Sequence, residues 1–166
     1  IQSLREDDWA AIVSYDLRPE IVTDFSQNQN ELFGGLRTLT YPTFSETNLY
    51  DAINFTLDRL KNVDGKKAIF LLSTGVDTFS RANYGDILRR SESTDTMIYA
   101  VGMAQMFATI YGNQLPADQR MTLLQAENAL RSIAENSGGI AWFPRFQGEY
   151  PSIYEGVSYL MRNQYS

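Results

Sequence analysis

Few side chains in this sequence could do chemistry, and two of the most versatile kinds are absent. The 166 residues contain no histidine and no cysteine. This excludes Ser-His-Asp and Cys-His catalysis, imidazole or thiolate ligation of zinc and copper, and disulfides. Carboxylates remain, but the closely spaced pair Asp7-Asp8 lies in a polar stretch beside a helix end and reads as solvated, not as an acid/base couple. Oxygen donors are more suggestive where Thr47 precedes an apolar stripe and where Ser73-Thr74-Gly75 and Asp77 follow an apolar run. Each has a plain structural use. Thr47 suits a helix N-cap, Ser73 and Thr74 suit a strand exit with local hydroxyl bonds, and Asp77 suits a turn or cap. Asn54-Phe55-Thr56 has the form of a glycosylation acceptor, but it falls inside the clearest helical pattern. Gly34-Gly35 and Gly138-Gly139 lack the strand and lysine spacing of a phosphate loop.

The elements that must position these groups belong to one domain, residues 1–166, long enough to bury a sizeable core. Hydrophobic residues make up 43% and charged residues 20%, the balance of a folded globular chain. The net charge of -6 repels phosphate backbones and offers no basic stripe, so nucleic acid is a poor partner. No apolar run is long enough to span a membrane. The sequence opens at Ile1 without a basic, then apolar, leader, and any secretion signal is expected upstream.

Ala10 to Leu17 and Glu20 to Phe25 read as two strands around Arg18-Pro19, preceded at Ile1 to Glu6 by the expected tail of a helix. Leu32, Phe33, Leu36 and Leu39 recur at helical spacing, and Ser26 with Gln29 resembles a capping box. Leu49, Ala52, Ile53, Leu57 and Leu60 form one helical stripe ending at Asp64-Gly65. The continuous run Ala68 to Leu72 predicts a strand buried on both faces near the sheet centre. A helix around Tyr84 to Ser91 and a strand over Thr96 to Gly102 complete a βαβ unit. Gln105 to Ala117, broken by Gly112 and Pro116, reads as a long loop. A helix beyond Asp118 stops at Ser137-Gly138-Gly139, a short strand covers Ile140 to Phe143, and Pro151 opens a last helix with Ile153, Tyr154, Val157, Leu160 and Met161 inward. The order predicts a doubly wound, mostly parallel α/β sheet with helices on both faces.

Thr47-Asn48-Leu49-Tyr50-Asp51-Ala52, Ala68 to Gly75 with Val76-Asp77-Thr78-Phe79-Ser80, Ile98 to Gly102, and Ile133-Ala134-Glu135 before Gly138-Gly139 follow one another in an order and spacing that resemble the von Willebrand factor A domains, a bacterial subgroup in particular. The resemblance spans nearly the whole chain and implies a Rossmann-like fold whose first strand, and most of whose first helix, are missing from this sequence. It implies that this strand would lie between the Ala10 to Leu17 and Lys66 to Ser73 strands, so that pairing with an upstream strand or a partner's strand is expected. It also implies a magnesium site of oxygen donors at the C-terminal edge of the sheet. The family's threonine falls on Thr47 and its aspartate on Thr74, while its Asp-x-Ser-x-Ser loop has no counterpart after Ile1. A neutral hydroxyl in place of a carboxylate predicts a degenerate site with weak or absent magnesium binding, so that no resident cofactor is expected.

The resemblance implies a protein-binding, adhesion-type module in the cell envelope or secreted. A metal-free scaffold domain is the alternative, and an enzyme using carboxylates without histidine fits least. Phe107, Ile110 and Tyr111 are the expected partner-binding residues, because they are too apolar for an idle loop.

Overall fold

The computed structural model describes residues 1–2, 4–39, 47–111 and 115–163. Strands β1 (Ala10–Tyr15) and β2 (Pro19–Ser26) form an antiparallel hairpin in which Tyr15 faces Pro19 and Ser14 faces Glu20. Strands β3 (Lys67–Ser73), β4 (Thr96–Gly102) and β5 (Ala141–Trp142) form a parallel sheet in the order β3-β4-β5. Six α-helices pack around them among the described residues: α1 (Gln29–Thr38), α2 (Leu49–Leu60), α3 (Tyr84–Ser93), α4 (Ala104–Tyr111), α5 (Ala117–Asn136) and α6 (Tyr150–Arg162).

The period-two geometry of β4 decides the layering, because successive side chains leave a strand on opposite faces. Ile98 and Ala100 point to a core shared with Leu49, Ile53 and Leu57 of α2, Ile87 of α3, and Leu130 and Ile133 of α5. Tyr99 and Val101 point the other way, onto Ile153 and Val157 of α6. Both faces of β4 are thereby covered, and burial of each large side chain there stabilises the fold by about 1.5–3 kcal/mol. This is a doubly wound, Rossmann-like α/β arrangement.

Among the described residues the hairpin and the parallel sheet are separate: β1 bonds only to β2, and β3 only to β4. They are joined through α2, which packs against β1, β2 and β3, and through the Tyr15 hydroxyl, which donates to Ser73 Oγ at 2.7 Å.

Five local expectations are corrected. β3 lies at the edge of its sheet, with Phe70 37% and Leu72 43% exposed; a continuous apolar run cannot tell which neighbour strands are present. The described residues between Ile1 and Glu6 form turns, not a helix tail, with Asp8 Oδ2 accepting from the Arg5 N–H. Helix α1 is capped by Asn28, whose side chain accepts from the Asn30 and Glu31 N–H groups, while Ser26 instead donates to Glu31 Oε2 at 2.6 Å. The N-cap of α2 is Asn48, not Thr47. Gln105 to Ala117 is no long loop: Ala104 to Tyr111 forms α4, since Met106, Phe107 and Ile110 are spaced i, i+1, i+4 and no breaker precedes Gly112. Residues 112–114 of that segment lie outside the described ones.

Candidate functional site

The parallel sheet delivers its loops to the C-terminal end of β3, where the sequence concentrates its oxygen donors. As β3 ends, Ser73 Oγ accepts from the Gly75 N–H at 2.9 Å, turning the chain sharply. Gly75 has φ +83°, and a side-chain carbon there would lie 2.6 Å from the Ala126 carbonyl oxygen. Glycine is therefore required for the loop to lie against α5.

The Thr47 segment and the 76–80 loop clasp each other. Thr47 Oγ1 donates to the Val76 carbonyl at 2.6 Å, and the Thr47 N–H donates to Thr78 Oγ1 at 2.9 Å. The Thr47 carbonyl accepts from the Thr78 and Phe79 N–H groups. Asp77 Oδ1 takes the Tyr50 N–H at 3.1 Å and the Ser80 hydroxyl at 2.5 Å, so a carboxylate from one loop satisfies a free donor of the first turn of α2. Asp51 reciprocates, its two oxygens accepting from the Arg81 and Ala82 N–H groups. Asn48 donates through Nδ2 to the Leu17 carbonyl at 2.7 Å, while its buried Oδ1 has no hydrogen-bond partner among the described residues.

These donors do not fit a magnesium site. The Thr47 hydroxyl is turned to a carbonyl, Thr74 is uncharged and its Oγ1 accepts only a long 3.5 Å contact from the Val76 N–H, and Asp77 spends Oδ1 on the Tyr50 N–H and the Ser80 hydroxyl. Among the described residues no three acidic side chains converge in a way that could hold a metal ion. The structure places the Thr47 segment against the loop that follows Thr74 and bonds the two to each other.

Phe107 and Ile110 lie elsewhere, at i and i+3 on α4, 40% and 58% exposed. Tyr111 closes that helix, and its side chain lies outside the described part of the structure. Helix α5, which packs on α4, similarly exposes Met121 and Leu124. Behind α4, Gln105 Nε2 donates to the buried Glu127 at 3.0 Å and Gln105 Oε1 accepts from Arg145 at 2.9 Å, a chain that satisfies the one carboxylate of the core.

Sequence reasoning missed Tyr15, Asn48 and Asp51. Tyr15 is recognisable only when β1 is placed beside β3. Burial holds its phenol above the usual range, Ser73 opposes that by hydrogen bonding, and the charge of Asp77 adds to it.

No protein-family profile matches the sequence, and no curated protein does. Solved structures do resemble it. The conserved hypothetical protein BatB from Bacteroides thetaiotaomicron superposes with a TM-score of 0.69 at 13% identity, over 98% of this chain and 83% of that one. An aerotolerance-related membrane protein from Bacteroides fragilis, crystallised with multiple mutations to serines, gives 0.64 at 11% identity, over 96% and 82%. What is shared is the fold. At such identities the likeness extends to the path of the chain and not to the chemistry of its loops.

Proposed function

We propose that this chain is a recognition domain that binds a protein partner and is not an enzyme. The observation that carries the reading is the α4 face, where Phe107 and Ile110 expose large apolar surface on a helix otherwise packed on its own domain. The absence of histidine and cysteine supports a binding role, and no helix among the described residues is long and apolar enough to cross a membrane. The likeness to a protein described as an aerotolerance-related membrane protein supports a place in the cell envelope or secretion. Divalent cations bind weakly or not at all, because the Thr47 hydroxyl is committed to a local bond and no three acidic side chains converge among the described residues. That commitment equally favours a second reading, a metal-free scaffold.

Among the described residues β1 is bonded only to β2 and β3 only to β4, and these strand edges suit an added extended segment from a protein partner; Asn48 Oδ1, on a side chain bonded to the turn after β1, has no hydrogen-bond partner among those residues. The partner reading is tested by affinity capture with cross-linking from envelope extracts, comparing the natural chain with the Phe107→Ser, Ile110→Ser double variant. A partner recovered reproducibly by the first and lost by a folded double variant is expected. Undiminished recovery by the double variant would refute the assignment to α4.

A further inference from the structure

A concavity lies against α5, and none of its lining residues belongs to α4. It is a cleft of about 420 Å³, within the range of sites that hold small ligands or single side chains. Its walls come from four separate segments: Tyr50 at the start of α2, Asp77 in the β3–α3 connection, Tyr84 at the start of α3, and polar positions of α5 that include Gln125 and Asn128. Among the described residues, Asp77 is the only charged one lining it. The two tyrosine rings stand 6.4 Å apart at 43° to one another, an open wedge and not a stacked pair.

From this geometry we infer that the cleft receives a cationic group, the guanidinium or ammonium of a basic side chain on a polypeptide ligand. Three features select a cation. Asp77 is held in place through Oδ1 by the Tyr50 N–H and the Ser80 hydroxyl, neutral donors that orient the carboxylate without cancelling its charge. No ion pair among the described residues uses Asp77. The wedge of Tyr50 and Tyr84 presents aromatic faces, whose quadrupole attracts a cation within about 6 Å of the ring centre. Gln125 and Asn128 add amide oxygens that accept from N–H donors. An anion would be repelled by Asp77, and a neutral sugar would leave that carboxylate without a counter-charge. The Tyr50 phenol is held above its usual range by burial first, then by the charge of Asp77 and by Tyr84, so Asp77 and both rings act on one small volume.

The site is independent of the α4 face, and so is its test. Nα-acetyl-arginine N-methylamide, its lysine counterpart, its neutral citrulline counterpart and the disaccharide maltose are titrated into the protein, followed by amide chemical shifts in NMR. The arginine or lysine probe should bind with a dissociation constant on the order of millimolar, as a single side chain allows, with shifts centred on Tyr50, Asp77 and Tyr84. Citrulline should bind at least about tenfold more weakly, since only the charge has gone. Asp77→Asn keeps an oxygen for the Tyr50 N–H, so the fold survives while affinity for the arginine probe falls about tenfold. Tyr84→Phe should retain binding and Tyr84→Ala should lose most of it. Added salt should weaken binding. Citrulline or maltose binding as tightly as arginine, or undiminished binding by a folded Asp77→Asn protein, would overturn the inference, as would the absence of shifts in the cleft at tens of millimolar probe.

Discussion

The hydroxyl pair between β1 and β3 makes a sharp prediction because its two ends are unequal. Ser73 is 2% exposed, and its Oγ accepts two hydrogen bonds, from the Tyr15 hydroxyl at 2.7 Å and from the Gly75 N–H at 2.9 Å. Tyr15→Phe removes one donor and leaves Ser73 still satisfied by Gly75, so the loss is one neutral hydrogen bond, about 1 kcal/mol. Ser73→Ala removes the shared acceptor and strands both donors. An unsatisfied buried donor costs about 1–3 kcal/mol, and the half-buried Tyr15 sits at the low end of that range, so the total is about 2–4 kcal/mol. The double variant should cost less than the sum by about 1 kcal/mol, the part both single variants remove. The assay is urea unfolding followed by far-ultraviolet circular dichroism, with the midpoint read at constant slope. For a chain of this length Tyr15→Phe should also lower the melting temperature by about 2–4 °C. Ser73→Ala should lower it about two to four times as far. A Tyr15→Phe variant as unstable as Ser73→Ala, or strictly additive losses, would show that the hydroxyl pair does not hold the sheets together.

Other outcomes follow from the same contacts. Because burial raises the Tyr15 pKa in the folded state, the folded protein keeps that proton more tightly than the unfolded chain does; stability is full below about pH 10 and falls as pH rises from there through the folded pKa, by up to about 1.4 kcal/mol per pH unit for this one group. Tyr15→Phe should flatten the alkaline limb of a melting-temperature profile, and an unchanged limb would contradict this. Lys67, with a side chain 6% exposed, is paired with Asp95 at 2.6 Å, which holds the Asp95 carboxyl below the usual range, mainly through that hydrogen bond. This contribution is present above about pH 4 and is lost as pH falls through the depressed folded value. Asp95→Asn should therefore be destabilising at neutral pH and lose its difference from the natural chain in strong acid; a constant difference would count against the pairing. Thr74→Asp should raise affinity for magnesium and manganese in calorimetric titration, since it restores an anionic oxygen beside the Thr47 segment. Tight magnesium binding by the unaltered protein would refute that reasoning.

Much of the fold was legible where periodicity and punctuation agreed. The stripe from Leu49 to Leu60 is α2, residue for residue of its buried face, and the stop at Ser137-Gly138 is the end of α5, with Gly138 at φ +80°. The β4 run needed no tertiary information because both of its faces are covered. β3 has an equally apolar run but stands at an edge, since strand neighbours are a property of topology and not of the strand. Helix α4 was hidden because Gly112 and Pro116 mark the ends of two helices closely enough to resemble one loop. The resemblance pointed to Thr47 and Thr74, but hydrogen-bond direction cannot be read from a sequence, and the Thr47 hydroxyl turns to Val76. The tyrosine cleft draws on positions 50, 77, 84 and 122–132, and no local pattern could have assembled it.

The separation of the hairpin from the parallel sheet also orders the events of folding. Tyr15 meets Pro19 across a tight turn, so the β1–β2 hairpin closes a very short loop and can form within about 1–10 μs. Lys67 finds Thr96 only after the α3 crossover has been traversed, and Tyr15 and Ser73 are 58 positions apart. Closing that longer loop costs more entropy and waits on α2, whose one face must fit both sheets at once. The hairpin's contacts are thus local, while those by which α2 meets both sheets are long-range, the kind of contact that slows folding.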